Sequence, residues 1–302
     1  MFKKSFKAIM SIVIVFSVII GLAWLGHNVN LIDSLLGRNK TNTTVVTAPQ
    51  GSLEVHYLDV GQGDSTYIRY NDYDILIDAT TAKDSDDLIK QLKDLKVKDL
   101  ELVIATHPHE DHIGGMPKVF KEYDVKSFYM PQSAHTTKTF EKLVRAVTDE
   151  GIEMNVIKAG TILPVPKELH AEVFVPLKTT YEDLNNYSPI IKIQFGNKSF
   201  MFTGDAEEES ELGAVKRYGN SLKADVLKLG HHGSSTSSSE EFLNAVNPSI
   251  GVISCGQNNK YGHPHKETLE KAKARNMDLY RTDTNGSVTI VTNGNDLNIT
   301  VN

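Results

Sequence analysis

From residue 51 onward, apolar and polar positions alternate in short bursts that read as β-strands. Leu53, Val55 and Tyr57 share one face of a first strand. Tyr67 and Ile68, then Ile75 to Ile77, mark two more, separated by Gly61-Gln62-Gly63-Asp64 and by Asn71-Asp72. The period then changes, because Leu88, Ile89, Leu92 and Leu95 recur at helical spacing across 84–95. Leu102 to Ala105 predicts a buried strand and 127–130 another. Phe140, Leu143, Val144 and Val147 predict an amphipathic helix over 137–149, ended by Gly151. Short strands are expected at 153–157, 161–163 and 170–175, then a hairpin of 190–195 with 200–203 turned by Gly196-Asn197. Helices at 206–218, 239–246 and 266–275 alternate with strands at 224–229 and 249–254. Strands at 287–292 and 296–301 close the chain. Strands run throughout and helices sit between them in two halves. The pattern predicts an α/β sandwich in which two sheets face each other and helices cover the outside.

The first fifty residues follow another rule. Lys3, Lys4 and Lys7 precede an uncharged apolar run over 8–26. A helix of that length reaches about 28 Å, close to the roughly 30 Å of bilayer hydrocarbon. Positive charge before the run predicts a cytoplasmic N-terminus with the rest of the chain outside. The run is long for a cleaved signal peptide and shows no good small-x-small site. Residues 1–26 therefore read as a signal anchor, with cleavage and secretion as the alternative. Residues 27–50 read as a flexible linker and 51–302 as the folded domain. The expectation is a single-pass cell-membrane protein with its domain outside.

Charge narrows the partners. Lys3, Lys4, Lys7, Arg38 and Lys40 against Asp33 give the first fifty residues +4, so the whole-chain −6 leaves −10 on residues 51–302. So acidic a domain is a poor match for the broad basic stripe that nucleic-acid binding normally needs, although a local basic groove is compatible with it. Cys255 is the single cysteine, so no intrachain disulfide forms, and its apolar surroundings predict a packed thiol rather than a nucleophile.

The candidate chemistry sits at predicted strand ends. Thr106-His107-Pro108-His109-Glu110-Asp111-His112-Ile113-Gly114-Gly115 puts three histidines and two carboxylates just after a strand. Imidazole nitrogen and carboxylate oxygen are ligands that zinc and similar divalent cations prefer. Three further clusters follow the same rule: Asp59 to Ser65, Phe202 to Glu207 with Asp205, and Gly230-His231-His232 with Tyr261-Gly262-His263-Pro264-His265 one loop later. Alone, the first would be a glycine turn and the second a helix cap. Seven of the eleven histidines fall in three strand-end loops, however, which scattered core or surface histidines would not do. A hydrolytic site with two cations about 3.5–4 Å apart, bridged by a carboxylate, accounts for that clustering.

These residues resemble the successive motifs of the metallo-β-lactamase superfamily across 53–291. The set LDVGQGDS, THPHEDHIGG, FTGDAE, LGHHGS and YGHPH looks more narrowly like the hydrolase domain of ComEC/Rec2 competence proteins and their stand-alone relatives. Pneumococcal phosphorylcholine esterase is similar in its motifs too. The resemblance implies a four-layer αββα sandwich holding two divalent metal ions, zinc or manganese. His107 and His109 would hold the first ion; Asp111, His112 and His263 the second; Asp205 would bridge them. Asp59 would orient a ligand loop from behind. His231 or His232, paired with Glu207, would stabilise phosphoryl oxygens or protonate the leaving group. Asp64 and His265 lie in the same motifs without an assigned role. A histidine that the superfamily often supplies before the bridging aspartate is missing; Asn185-Asn186-Tyr187-Ser188 stands there, leaving the first ion short of a ligand that Asn186 or water would replace. The implied activity is a metal-dependent phosphodiesterase, with DNA or a small or envelope phosphodiester as substrate. The alternatives are a β-lactamase or lactonase, and a non-catalytic metal-binding envelope module.

Overall fold

The alternation at the hairpin of β8 and β9 shows how this sequence builds its layers. In the computed structural model, which describes residues 48–302, Phe200 and Phe202 point to one side of their strand and Met201 to the other. Both sides are buried, so the strand lies inside a stack rather than on a surface. The same holds in β3 and β4, where Ile75, Ile77, Leu102 and Ile104 enter one apolar cluster while Leu76 and Val103 enter another. Three apolar layers therefore separate four structural ones, and the architecture is the expected αββα sandwich. The predicted anchor and nearly all of the predicted linker lie outside the described residues. Among the described residues, no helix is long and apolar enough to cross a membrane.

Among the described residues, fourteen strands form two sheets. In chain order they are β1 (Leu53–Tyr57), β2 (Thr66–Tyr70), β3 (Tyr73–Ile77), β4 (Leu102–Ile104), β5 (Phe128–Met130), β6 (Met154–Val156) and β7 (Leu169–Val173). Then come β8 (Ile191–Phe195), β9 (Lys198–Phe202), β10 (Val226–Lys228), β11 (Ile250–Ile253), β12 (Asp278–Arg281), β13 (Val288–Thr292) and β14 (Leu297–Val301). The first sheet has the order β14-β13-β1-β2-β3-β4-β5-β6 and the second β12-β11-β10-β9-β8-β7. Each contains an antiparallel part and a parallel part: β3 to β6 run parallel in the first sheet, β9 to β12 in the second.

Parallel neighbours need crossovers, and helices supply them on the outer faces. Helix Ser85–Asp94 buries Leu88, Ile89 and Leu92 on the first sheet. Helix Lys138–Asp149 starts where the Thr137 hydroxyl accepts the Phe140 N–H at 3.3 Å, and buries Leu143 and Val147. On the second sheet, helix Glu240–Val246 starts at Ser239 and buries Phe242, Leu243 and Val246. Between the sheets, Tyr57 packs on Phe202 with ring centroids 6.2 Å apart. Each large apolar side chain buried there contributes about 1.5–3 kcal/mol.

The structure departs from the sequence reading in several places. Residues 161–163 form no strand; Leu163 is buried, but Pro164 and Pro166 follow and the Thr161 hydroxyl accepts the Lys158 N–H in a turn. Helix Met116–Glu122 and edge strand β12 are present without having been predicted.

Candidate metal centre

Parallel strands of both sheets end on the same side of the stack, and the chemistry-bearing loops leave from those ends. β4 runs into Thr106–His109 and the short helix Glu110–Ile113. β9 runs into Thr203-Gly204-Asp205, and β10 into Gly230-His231-His232. Gly204 has φ +50° and lies so close to Thr106 that a Cβ would stand 2.8 Å from the Thr106 Cβ. Only glycine meets both demands without strain. His231 (φ +49°) and His232 (φ +53°) also take left-handed backbone, which costs a bulky residue about 1–3 kcal/mol and is characteristic of functional sites.

Asp205 sits at the centre. Its Oδ2 lies 3.2 Å from His112 Nε2, 3.6 Å from His232 Nε2, and 3.8 Å from both His107 Nε2 and His231 Nε2. His107 Nε2 faces His109 Nδ1 at 2.9 Å. Asp111 Oδ2 faces His232 Nε2 at 3.4 Å. Three groups have donor atoms close enough to hold a cation: His107, His112 and Asp205; Asp111, His112 and His232; and Asp64, Asp78 and His112. The Asp64 ion pair with Lys228 and the hydrogen bonds of Asp78 occupy the third, which leaves two ligand groups.

Buried carboxylates fix these rings. Asp78, at the end of β3, accepts from His112 Nδ1 at 2.7 Å, from the Thr106 hydroxyl at 2.7 Å and from the Thr106 N–H at 2.8 Å. That bond keeps a proton on His112 Nδ1 and aims Nε2 at Asp205. The Ser254 carbonyl does the same for His232, accepting from Nδ1 at 2.9 Å. The Ser188 hydroxyl lies 3.3 Å from His107 Nδ1 and accepts the Asp205 N–H at 3.2 Å.

Protonation follows from burial and neighbours. Burial, then the nearby His112, hold His107 well below the usual imidazole value. Burial would lower His112 as well, but the Asp205 and Asp78 carboxylates outweigh it and hold it well above. Burial would raise Asp205, yet His112 and His232 keep it well below the carboxylate range. His263 is lowered to about 4 by burial and by His232 and His231.

The donor set fits divalent cations. His112 Nε2, His232 Nε2 and Asp205 Oδ1 are buried and have no hydrogen-bond partner. Each buried polar group left unpaired costs about 1–3 kcal/mol, and cation ligation would satisfy all three at once. Nitrogen and carboxylate donors suit zinc and manganese alike.

The sequence-predicted residues are distributed as follows. His107, His109, Asp111, His112 and Asp205 converge. His232, expected in catalysis, stands in the ligand position beside Asp111. His263, expected there, stacks on His232 with centroids 6.1 Å apart and lies outside both ligand groups; its Nδ1 is buried and unpartnered. His231 and Glu207 do pair, with Nδ1 3.2 Å from Oε1, and Glu207 also accepts from Thr236 and Asn185. Asp59 does not join the site: it is exposed and its carboxylate accepts only the nearby Gly61 N–H. Its expected role belongs to Asp78, which the sequence reading passed over although it follows an apolar strand. Asn186 is not free for a cation, because its carbonyl oxygen accepts from Glu207 and Ser210 N–H and caps the helix Glu208–Tyr218. Ser188, not Asn186, adjoins the first group. His265 accepts from Ser235 N–H at 3.0 Å and holds a loop. Glu110 accepts from Ala82 N–H at 2.9 Å. Asp64 forms a buried ion pair with Lys228, another residue without a sequence signal.

Beside the centre runs an open groove of about 500 Å³, walled by His135, Thr137, Phe140, Val144 and Arg145. The His135 ring stands edge-on to His109 with centroids 6.1 Å apart.

Comparison with known proteins agrees with this geometry. The Metallo-beta-lactamase superfamily profile matches residues 58–257, and the chain belongs to that superfamily. Within it the chain is ComEC/Rec2-like. It is 33% identical to ComE operon protein 3 of Bacillus subtilis over 253 residues, covering 78% of this chain and 32% of that protein. It is 29% identical to Competence protein ComA of Neisseria gonorrhoeae over 241 residues, covering 80% and 32%. The chain thus spans about a third of the length of these relatives. The metallo-β-lactamase fold protein YhfI of Bacillus subtilis superposes with a TM-score of 0.52 at 14% identity, covering 76% of this chain and 95% of that one.

Proposed function

We propose that the domain is a metal-dependent phosphodiesterase, held outside the cell membrane by its N-terminal segment. The observation that carries the reading is the Asp205 oxygen ringed by four histidine nitrogens at 3.2–3.8 Å, with unpartnered ligand atoms around it. His107 and Asp205, with His109 beside the His107 ring, would hold one divalent cation, and Asp111, His112 and His232 a second. Such cations supply Lewis-acid charge and lower the pKa of water to about 7. The protein's own residues do the remainder. Asp78 and the Ser254 carbonyl lock ligand tautomers. Glu207 and Thr236 hold the His231 ring by Nδ1, which leaves Nε2 directed at the Asp205 centre. There it is placed to donate a hydrogen bond to a phosphoryl oxygen or a proton to the leaving alkoxide.

The competence relatives favour DNA as substrate, whereas the −10 charge on residues 51–302 favours a small or envelope phosphodiester. We infer the small substrate, because residues 51–302 carry a formal net charge of −10. The His231–Glu207 pair beside the ligand groups, which cation binding alone does not require, favours an enzyme over a non-catalytic metal-binding module. The test is hydrolysis of bis-p-nitrophenyl phosphate by the detergent-solubilised full chain with zinc or manganese. Activity no greater than that of an Asp111→Ala, His112→Ala double variant rejects the reading. Strong inhibition by single-stranded DNA would transfer the assignment to a nuclease. Protease protection in intact cells tests the outward orientation.

A further inference from the structure

The ion pair between Asp64 and Lys228 takes no part in the chemistry above, yet it lies directly behind it. Asp64 ends the Gly61-Gln62-Gly63-Asp64 turn between β1 and β2, in the first sheet; Lys228 is the last residue of β10, in the second. Both side chains are 2–3% exposed, and among the described residues neither the carboxylate nor the ammonium has another hydrogen-bond partner. An isolated buried charge is costly, so Asp64 depends on Lys228 for compensation, while Lys228 also faces the more distant Asp205 and Asp78 carboxylates.

The backbones on either side lead straight to the ligands. Asp64 N–H donates to the Asp111 carbonyl at 3.0 Å, and Asp64 C=O accepts the Thr80 N–H at 2.9 Å. Gly63 lies so flat on this loop that a Cβ would sit 2.9 Å from the same Asp111 carbonyl and 2.4 Å from the Thr80 hydroxyl. The Ser65 hydroxyl donates to the Asp78 carbonyl at 3.0 Å. The turn is therefore a strap over the backbone that carries Asp78, Asp111 and His112. On the opposite side, the Lys228 carbonyl accepts the Thr203 hydroxyl at 2.8 Å, which ties β10 to the segment leading to Asp205. Three residues past Lys228 the chain reaches His231 and His232. A second contact repeats the bridge, with Gln62 Oε1 accepting the Gly256 N–H at 3.0 Å.

We propose that the Asp64–Lys228 pair sets the distance between the two halves of the metal centre, making both residues positioning residues for divalent-cation binding. Asp111 and His232 come from different sheets and meet at 3.4 Å. Nothing in either loop alone fixes that separation, whereas the strap, the ion pair and β10 form one continuous connection between them. The inference rests on the metal-centre reading and is independent of the substrate.

The test is titration of the metal-stripped full chain in detergent with manganese or zinc, read by calorimetry, together with the melting temperature of the metal-free protein. Asp64→Asn with Lys228→Met removes both charges at similar volume and so leaves no unpaired charge behind. Its metal-free form is expected to melt within a few degrees of wild type, while cation affinity falls about 10- to 100-fold, the range for groups that orient ligands. Asp64→Glu keeps both charges, which protects folding, but shifts the strap by a methylene; at least a tenfold loss of affinity is expected. Wild-type affinity in either folded variant overturns the proposal, and Asp64→Glu decides it if the double variant fails to fold. Wild type that binds no divalent cation overturns the metal-centre reading and this proposal together. A failed phosphodiesterase assay leaves the titration unaffected.

Discussion

Replacing Gly204 by alanine probes a tight junction between the two halves of the centre. The residue has φ +50°, where an L side chain costs about 1–2 kcal/mol. The new methyl would meet the Thr106 Cβ at 2.8 Å and the Ser188 Cβ at 3.0 Å, distances that real Cβ contacts hardly reach. Overpacking of that kind adds about 1–3 kcal/mol. The sum is a loss of about 2–5 kcal/mol. The direction of relief matters as much as the size, because the hydroxyls of Thr106 and Ser188 lie 3.1 and 3.3 Å from His107 Nδ1. Any movement that makes room for the methyl displaces the groups that hold His107. Urea denaturation of the metal-free protein reads the first effect and cation titration the second. A Gly204→Ala protein with an unchanged urea midpoint and wild-type cation affinity would show that the packing described here does not govern the site.

Other perturbations have equally definite outcomes. Asp78→Asn should weaken cation binding about 10- to 100-fold, as measured by competition with a chelator, because the His112 proton loses its charged acceptor. Phe202→Ala, in the layer between the sheets, should lower unfolding stability by about 3–5 kcal/mol in urea. Chelation should lower the melting temperature of wild type, since a ligand at a thousand times its Kd stabilises by about 4 kcal/mol; an unchanged melting curve would count against a metal centre. His135→Ala should raise KM for aryl phosphodiesters several-fold with kcat within twofold, because the ring walls the groove without entering a ligand group.

Legibility in the sequence followed physical locality. The β8–β9 hairpin could be read because alternation and a Gly-Asn turn occupy adjacent residues. Helix Met116–Glu122 also carried a signal, with Met116, Val119 and Phe120 at helical spacing, but it begins one residue after the metal loop and has proline in its first turn. Strand β12 has four residues and lies at a sheet edge, half-exposed, so it shows no clear alternation. The candidate ligands that share one loop stand out by their spacing. The placement of His232 rather than His263 beside Asp111 does not, since two histidine-bearing loops follow neighbouring strands and their spacing alone does not say which ring reaches Asp111. Asp59 was favoured over Asp78 because its glycine-rich surroundings stand out as a motif. What orients a ligand is instead the carboxylate at the end of the strand next to β4. Pairing of Asp64 with Lys228 leaves no trace in sequence, because it depends on two sheets stacking.

The division of the ligands between sheets has a consequence for how the protein acquires its metal. His107, His109, Asp111 and His112 follow strands of the first sheet, Asp205 and His232 strands of the second, and about two-fifths of the chain separates His107 from His232. An emerging polypeptide thus presents a lone histidine loop long before a second set of donors exists. A cation caught early would have few protein ligands and would exchange freely, with retention beginning only when the second sheet closes on the first. A cation in the finished centre would act as a clasp between the sheets. Metal content and the lifetime of the folded state become one property, and the slowest-exchanging amides are expected on β4, β9 and β10 together.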